Sequence, residues 1–412
     1  MYYREFVNNI IGQPVEGDDF FDREDETDRL WRTLEEGNHV LLLAPRRVGK
    51  TSLALRVGSS AANSGWRFVL VDVQGCRDEL SFLDTLFEKL KSIGVNVPVL
   101  ARLIAWVTLA RRNIPGKVEI GGFGVAIDPS GGQEATTLER QIERLFSEME
   151  ESGDRVLIAV DELPVLLQAL EEGEKSGARL RGFLNWFRAL RLRYRKNVRW
   201  LLLGSVGLDT FSEVRNLTAT INDLKPSSLG AYSEPTAISC LQVLGQGKGV
   251  KMSKALCKVI LGEIGWPLPF FLQLVFHEMH ALLGQPPRRP QIKDAKQACH
   301  QLVAPDFYRH FEPWRGRLAE GMNAEHFQSA MAVLNAICVH VEGLPRDRLL
   351  HAVMRKFPQR DPDEVSRILA TTLGQLERDG YLLRRDGAAG GTASYAFRSF
   401  LLRRYWHARE VA

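Results

Sequence analysis

The residues best suited to chemistry stand in one short run, Ala44-Pro45-Arg46-Arg47-Val48-Gly49-Lys50-Thr51, followed by Ser52. The run matches GxxxxGK[ST] except that Ala44 stands at the first glycine. It follows the apolar stretch 39–44 and opens a segment of helical character, the setting this spacing requires. In such a loop, backbone N–H groups of the loop and helix start cradle phosphate oxygens. Gly49 lets the backbone come close, Lys50 reaches β- and γ-phosphates, and Thr51 offers a hydroxyl to Mg²⁺. Residues 44–52 are therefore the candidate nucleotide-binding set. Arg46 and Arg47 stay open between phosphate contact, contact with an acidic neighbour and simple solvation.

A second element lies about a hundred residues on, where the apolar run Val156-Leu-Ile-Ala-Val ends in Asp161-Glu162. Carboxylates at the C-terminal end of a buried strand sit where ligands bind in open α/β sheets. Asp161 would hold Mg²⁺, and Glu162 would orient or activate an attacking water. A third run, Trp200-Leu-Leu-Leu-Gly204-Ser205, places a polar residue at another strand tip, and Ser205 is the candidate sensor. A strand ending in solvated polar groups is the plain alternative for either element taken alone.

These groups need a sheet to hold them. The apolar runs 39–44, 67–73, 155–162 and 198–205 read as buried strands, with helical periodicity at 23–36, 51–57, 79–112, 134–149, 163–174 and 179–194. Asp22 is placed to cap the first helix. Strand and helix alternate, which predicts a largely parallel α/β sheet. Residues 116–132, rich in glycine, read as a hairpin or loop insertion. After about residue 225 the strand runs stop, and helices are expected around Gly265-Trp266-Pro267 and on to about residue 318. From residue 324, helices at 324–340, 345–356 and 361–378 precede two short strands. Three helices and a hairpin form the winged-helix pattern.

Composition is that of an ordinary globular chain of 412 residues, long enough for two or three domains. The formal charge of +4 neither demands nor excludes a nucleic-acid partner. Five scattered cysteines form no CxxC pair, and nine histidines show no metal-ligand spacing, so neither a zinc ribbon nor a disulfide scaffold is expected. His277 and His280 read as part of a structural helix. No run reaches the roughly 18 apolar residues of a membrane span. The N-terminus carries no apolar signal stretch. A soluble, cytoplasmic protein without membrane contact is the expectation.

The chain resembles the P-loop ATPases of the STAND and AAA+ superfamily. It is most similar to the prokaryotic STAND-type group often labelled archaeal ATPase, which is related to origin-recognition ATPases. The residues that carry the resemblance are Phe20–Glu26, Leu41–Leu53, Leu157–Pro164, Leu201–Asp209, Gly265-Trp266-Pro267 and Tyr395–Trp406. It spans nearly the whole chain. It implies ATP or ADP with Mg²⁺, slow hydrolysis, and a switch controlling assembly or partner engagement. It places Arg23 near the adenine or ribose, although Asp22 stands where Gly is usual. It makes Gly265 and Pro267 part of a helical lid over the nucleotide. A trans arginine is sought among Arg188, Arg191, Arg193 and Arg195, with Arg191 or Arg195 as the candidates, while for any single one of them a solvated basic helix face is the preferred reading.

The expected division is an ATPase domain (1–225), a helical lid (226–320) and a winged helix (321–412). The third helix of that last part carries Asp361, Asp363, Glu364, Glu377 and Asp379 against Arg367 and Arg378, a poor face for DNA phosphates. Positive charge follows later, in Arg384, Arg385, Arg398, Arg403, Arg404 and Arg409. Duplex DNA bound through this segment, a protein partner and self-assembly are all left open. Two rival functions stand beside the switch: an ATP-regulated DNA-binding loader or defence regulator, and a non-enzymatic module that retains ADP or ATP. Tyr395, Phe397, Phe400, Tyr405 and Trp406 read as core packing in preference to base stacking.

Overall fold

Every apolar run that ends in a chemically equipped residue becomes a strand. In the computed structural model, which describes residues 7–95, 98–113, 138–172, 177–204, 217–386 and 393–411, the chain divides into two compact units. One comprises Arg23–Ala44 and Lys50–Leu229; the other comprises Met1–Asp22, Pro45–Gly49 and Gly230–Ala412.

The first unit begins with helix α1 (Glu24–Glu35) and strand β1 (His39–Leu43), followed by α2 (Lys50–Asn63) and β2 (Arg67–Asp72). Then come α3 (Glu79–Ser92), α4 (Pro98–Asn113), α5 (Leu138–Glu151), β3 (Val156–Asp161), α6 (Leu163–Glu172), α7 (Ala178–Arg193), β4 (Val198–Gly204) and β5 (Leu224–Ser228). The strands lie in the order β2-β3-β4-β1-β5, and every pairing is parallel. β1, β3 and β4 are buried along their whole length, as continuous apolar runs in a sheet covered on both faces should be.

Three local expectations are corrected. Asp22 does not cap α1: the cap position is Arg23, at φ 77, and no side chain caps the helix. The single helix expected over 79–112 is two, because Gly94 takes a left-handed angle (φ 78) and Pro98 opens α4. Strands do not stop at 225, because β5 pairs with β1 from Leu224 opposite His39 to Ser228 opposite Leu43. Its sequence, LKPSS, buries only Leu224 fully, so it offers no apolar run, and Pro226 is tolerated because the strand is at the sheet edge. The hairpin expected at 116–132 falls outside the described residues.

His39, at the start of β1, is buried and has both ring nitrogens engaged. Nε2 donates to the Arg191 carbonyl (2.9 Å) and Nδ1 accepts the Trp200 N–H (3.2 Å), an arrangement only the neutral ring satisfies. Burial, above all, with the nearby Arg191 and Arg199 charges, pushes its pKa down to about 4. Unfolding restores a value near 6.5, so the unfolded chain binds the extra proton between those limits and stability falls as pH drops through that window. At pH 5 the loss relative to pH 7 is about 2 kcal/mol from this group. Urea unfolding at the two pH values should show that the His39→Gln chain, already weaker at pH 7, loses less than the parent on acidification.

The second unit holds α8 (Glu234–Gly247), α9 (Lys254–Ile264), α10 (Pro269–Ala281), α11 (Ile292–Gln301) and α12 (Glu312–Gly321). It continues with α13 (Ala324–Cys338), β6 (Leu344–Pro345), α14 (Arg346–Met354), α15 (Pro362–Arg378), β7 (Leu382–Arg385), β8 (Ser394–Phe397) and α16 (Phe400–Glu410). β6, β8 and β7 form an antiparallel sheet in that order. β6 adds a third strand to the expected hairpin. It is two residues long and depends on Gly343 (φ 84), where a Cβ would lie 2.3 Å from the Tyr395 carbonyl oxygen. The chain closes with α16, a helix absent from the expectation. Tyr395, Phe397, Tyr405 and Trp406 are buried as core residues, and Trp406 Nε1 donates to Asn335 Oδ1 (2.8 Å). Among the described residues no single helix is long and apolar enough to cross a membrane.

Candidate functional site

Ala44 explains itself once its backbone is seen. Its N–H donates to the Gly204 carbonyl (3.2 Å), so it continues the ladder of β1 with no left-handed angle, and a methyl group is accommodated. Gly49 differs. Its φ is 98, and a Cβ there would meet nothing within 4 Å, so glycine is required by the backbone angle and not by space. α2 then starts at Lys50 with no acidic residue in its first turn, leaving its N-terminal N–H groups and dipole suited to an anion.

Within the first unit the structure brings four predicted residues together. Lys50 is buried and its Nζ donates to the Ala44 carbonyl (2.9 Å). Thr51 Oγ1 donates to Asp161 Oδ2 (2.6 Å), although 110 residues separate them. Asp161 Oδ1 accepts the Glu162 N–H (2.9 Å). β4 lies between β1 and β3, so its C-terminal end falls between those of the loop strand and the carboxylate strand. Ser205 itself lies outside the described residues. Burial holds the Asp161 carboxyl above the usual carboxylate range, with the negative charge of Glu162 adding to it and the Thr51 hydroxyl and Lys50 opposing it.

Four non-glycine residues among those described have positive φ: Asp22 (58), Arg23 (77), Arg47 (65) and Glu162 (59). A left-handed angle costs an L-residue roughly 1–2 kcal/mol, and such costs collect at functional sites. Three of the four are residues singled out from the sequence, and the fourth, Asp22, immediately precedes one of them. Arg23 is buried and pairs with Glu26 (2.7 Å), so its side chain braces the first turn of α1.

The remaining loop residues have distinct surroundings. Val48 is buried, so its side chain serves packing. Pro45 has no N–H to offer a phosphate. Arg46 and Ser52 are half-buried and buried, respectively. In the second unit, Arg47 Nη1 donates to the Gly12 carbonyl (3.3 Å) and its Cζ lies 4.5 Å from the centre of the Phe270 ring, in the first turn of α10. Burial pulls its guanidinium below its ordinary pKa. The sequence held no signal for Gly12 or Phe270 as its partners.

Gly265 ends α9 at φ 74, and a Cβ there would lie 2.8 Å from the Phe400 ring, so both angle and space demand glycine. Trp266-Pro267-Leu268 then turns the chain, and α9 and α10 meet at 116°. Arg191 is corrected as a trans arginine. It is 1% exposed, and its guanidinium grips Asp223 (2.9 and 2.8 Å) and the Thr220 carbonyl (2.8 Å). Arg195 is exposed.

Two solved structures share this architecture. A Walker-type ATPase of Pyrococcus abyssi is 16% identical, with 97% of this chain and 99% of its own covered at a TM-score of 0.58. The ORC2 protein of Aeropyrum pernix, solved in ADPNP–ADP complexes, is 13% identical, with 99% and 98% covered at a TM-score of 0.54. The chain shares its fold with these two structures over nearly its whole length. No protein-family model matches the sequence, and no curated protein does. At these identities the likeness speaks for the architecture, and the chemistry must be argued from the residues.

Proposed function

We propose that the chain is a cytoplasmic, Mg²⁺-dependent ATP-binding switch of STAND type that hydrolyses ATP slowly to ADP and phosphate. The single observation that carries this reading is the 2.6 Å contact of Thr51 Oγ1 with Asp161 Oδ2 beside a buried Lys50. A hydroxyl and a carboxylate are hard oxygen donors. With no group of three or more His, Cys, Asp or Glu able to hold a metal among the described residues, the donor set fits a cation that keeps water and phosphate ligands. Thr51 and Asp161 are its ligands in this reading. Bound there, Mg²⁺ neutralises charge on the β- and γ-phosphate oxygens.

The chain's own groups do the rest. The N–H groups of the loop and of α2 hold the phosphates. Lys50 gives up the Ala44 carbonyl and donates to them. Glu162 Oε takes a proton from the attacking water, positioned by its left-handed backbone and by its N–H bond to Asp161. Ser205 is the proposed sensor, and Arg23, Gly265 and Pro267 are proposed to frame the base and the lid. In this reading residues 1–225 bind nucleotide, 226–320 form the lid and 321–412 are a winged helix. Glu162→Gln should leave ATP binding intact and slow single-turnover ADP formation by about 10²–10⁴-fold. Unchanged turnover would sink the base assignment.

Duplex DNA is the alternative partner, through residues 384–412. There the six arginines already have partners in the chain. Arg385 meets Glu342 (3.0 Å), Arg384 meets Asp386 (3.5 Å), Arg404 meets Glu263 (2.5 Å) and Arg409 meets Glu312 (3.5 Å). Arg403 donates to the Cys338 carbonyl (2.8 Å), and Arg398 lies over the Trp266 ring. Neutralising Arg403 or Arg404 would therefore disturb packing as well as charge. The salt dependence of binding by the intact chain is the cleaner test of this alternative.

A further inference from the structure

The end of α13, β6 and α14 enclose a concave surface of about 980 Å³ that the nucleotide reading does not use. Its walls are apolar, built from Val339 after α13, Leu344 and Pro345 of β6, and Ala352 and Met354 of α14. Val339 is 46% exposed and the nearby Val341 51%. The rim is cationic or titratable. Arg348, His351 and Arg355 recur at i, i+3 and i+7, which puts them on one face of α14, and His340 joins them in lining the surface. No carboxylate lines it.

The two arginines stand out in their own neighbourhood. Arg346 donates to Ser366, Arg360 pairs with Glu325 and Glu364, and Arg385 pairs with Glu342. Among the described residues, Arg348 and Arg355 make no such bond, and both are exposed. Two unneutralised guanidinium groups beside exposed valines and an apolar hollow are not what a solvated helix face requires. α15 carries Asp363 and Glu364 in its first turn and α14 carries Asp347, but none of these acids lines the hollow.

We infer that this groove docks an acidic amphipathic helical segment of a partner protein. Apolar side chains spaced i, i+3, i+7 fill the hollow, and flanking carboxylates meet Arg348 and Arg355. A DNA backbone would use the arginines and leave the apolar wall uncovered. The inference does not depend on the nucleotide reading, and loss of ATP binding would leave it standing.

The test uses the full-length chain and a labelled helical peptide of about 18 residues, long enough to hold helix, with Leu at i, i+3 and i+7 and Glu on the flanks. Controls replace Leu by Ser, or Glu by Lys, and a short DNA duplex is the competitor. Fluorescence anisotropy should give micromolar binding of the Leu/Glu peptide that weakens with salt, and roughly tenfold or more should be lost in Arg348→Glu/Arg355→Glu. Val339→Asp should weaken it too, with unfolding midpoint and ATP binding unchanged in both variants. Four results overturn the inference: no binding, equal binding of the Ser control, a duplex that displaces the peptide and binds more tightly, or a dimer mass that only the double variant abolishes.

Discussion

Lys50→Ala is expected to lower ATP and ADP affinity by about two orders of magnitude, measured by equilibrium titration. A charge-assisted hydrogen bond contributes about 1.5–3 kcal/mol, and each 1.4 kcal/mol is a factor of ten. Lys50 supplies such bonds from a point charge at the start of α2, close enough to the Asp161 carboxylate for the two charges to interact. Its free-state partner complicates the reading in a known direction. Nζ donates to the carbonyl of Ala44, which is fully buried, so truncation also leaves an acceptor without its donor. That costs about 1–3 kcal/mol of stability. Unfolding must therefore be measured beside binding. A chain that is somewhat less stable, still folded at the assay temperature and unable to retain nucleotide is the expected result. Retained affinity in a folded Lys50→Ala chain would remove the lysine from the phosphate site.

How much of this was legible in the sequence depends on where each residue's signal comes from. β1, β3 and β4 could be read because strands buried on both faces leave unbroken apolar runs. Thr51 and Asp161 could be read as partners because strand-loop-helix and strand-carboxylate each fix where the chain puts the polar group, and the sheet order then brings them together. β5 could not. A one-sided edge strand with Pro226 leaves no apolar run, and it is recognisable only from its register against β1. Ala44 looked like a departure from the pattern because a pattern does not state which glycine needs its angle: Gly49 does and Ala44 does not. The left-handed angles of Arg47 and Glu162 were equally silent, since no side-chain preference announces them and the surrounding fold imposes them. Arg191 misled for a related reason. Basic residues at the end of a helix read as solvated or reaching outward, and only the three-dimensional structure shows Asp223 facing one of them.

That misreading yields the second large expected effect. Arg191→Ala should cost about 3–5 kcal/mol of stability, the usual consequence of removing one partner from a buried ion pair. Asp223 is the group left behind. Burial pushes its carboxyl pKa up, the Arg191 hydrogen bonds and charge outweigh that, and the net shift is downward. Without Arg191 the buried carboxylate keeps a backbone N–H and Arg188, whose Nε is 3.6 Å away. The Thr220 carbonyl loses its donor as well. The damage should be local, because Asp223 immediately precedes β5, a strand that buries little of its own. The pair thus fixes where the edge of the sheet begins. Against a total of about 5–15 kcal/mol for a typical domain, the loss should shift the urea midpoint clearly. Replacing both partners, as Arg191→Met with Asp223→Leu, should recover much of it, because no charge is then stranded. A trans arginine behaves oppositely: its loss slows turnover in an assembled protein and leaves the unfolding midpoint where it was. A large midpoint shift, rescued in the double variant, separates a structural arginine from a catalytic one.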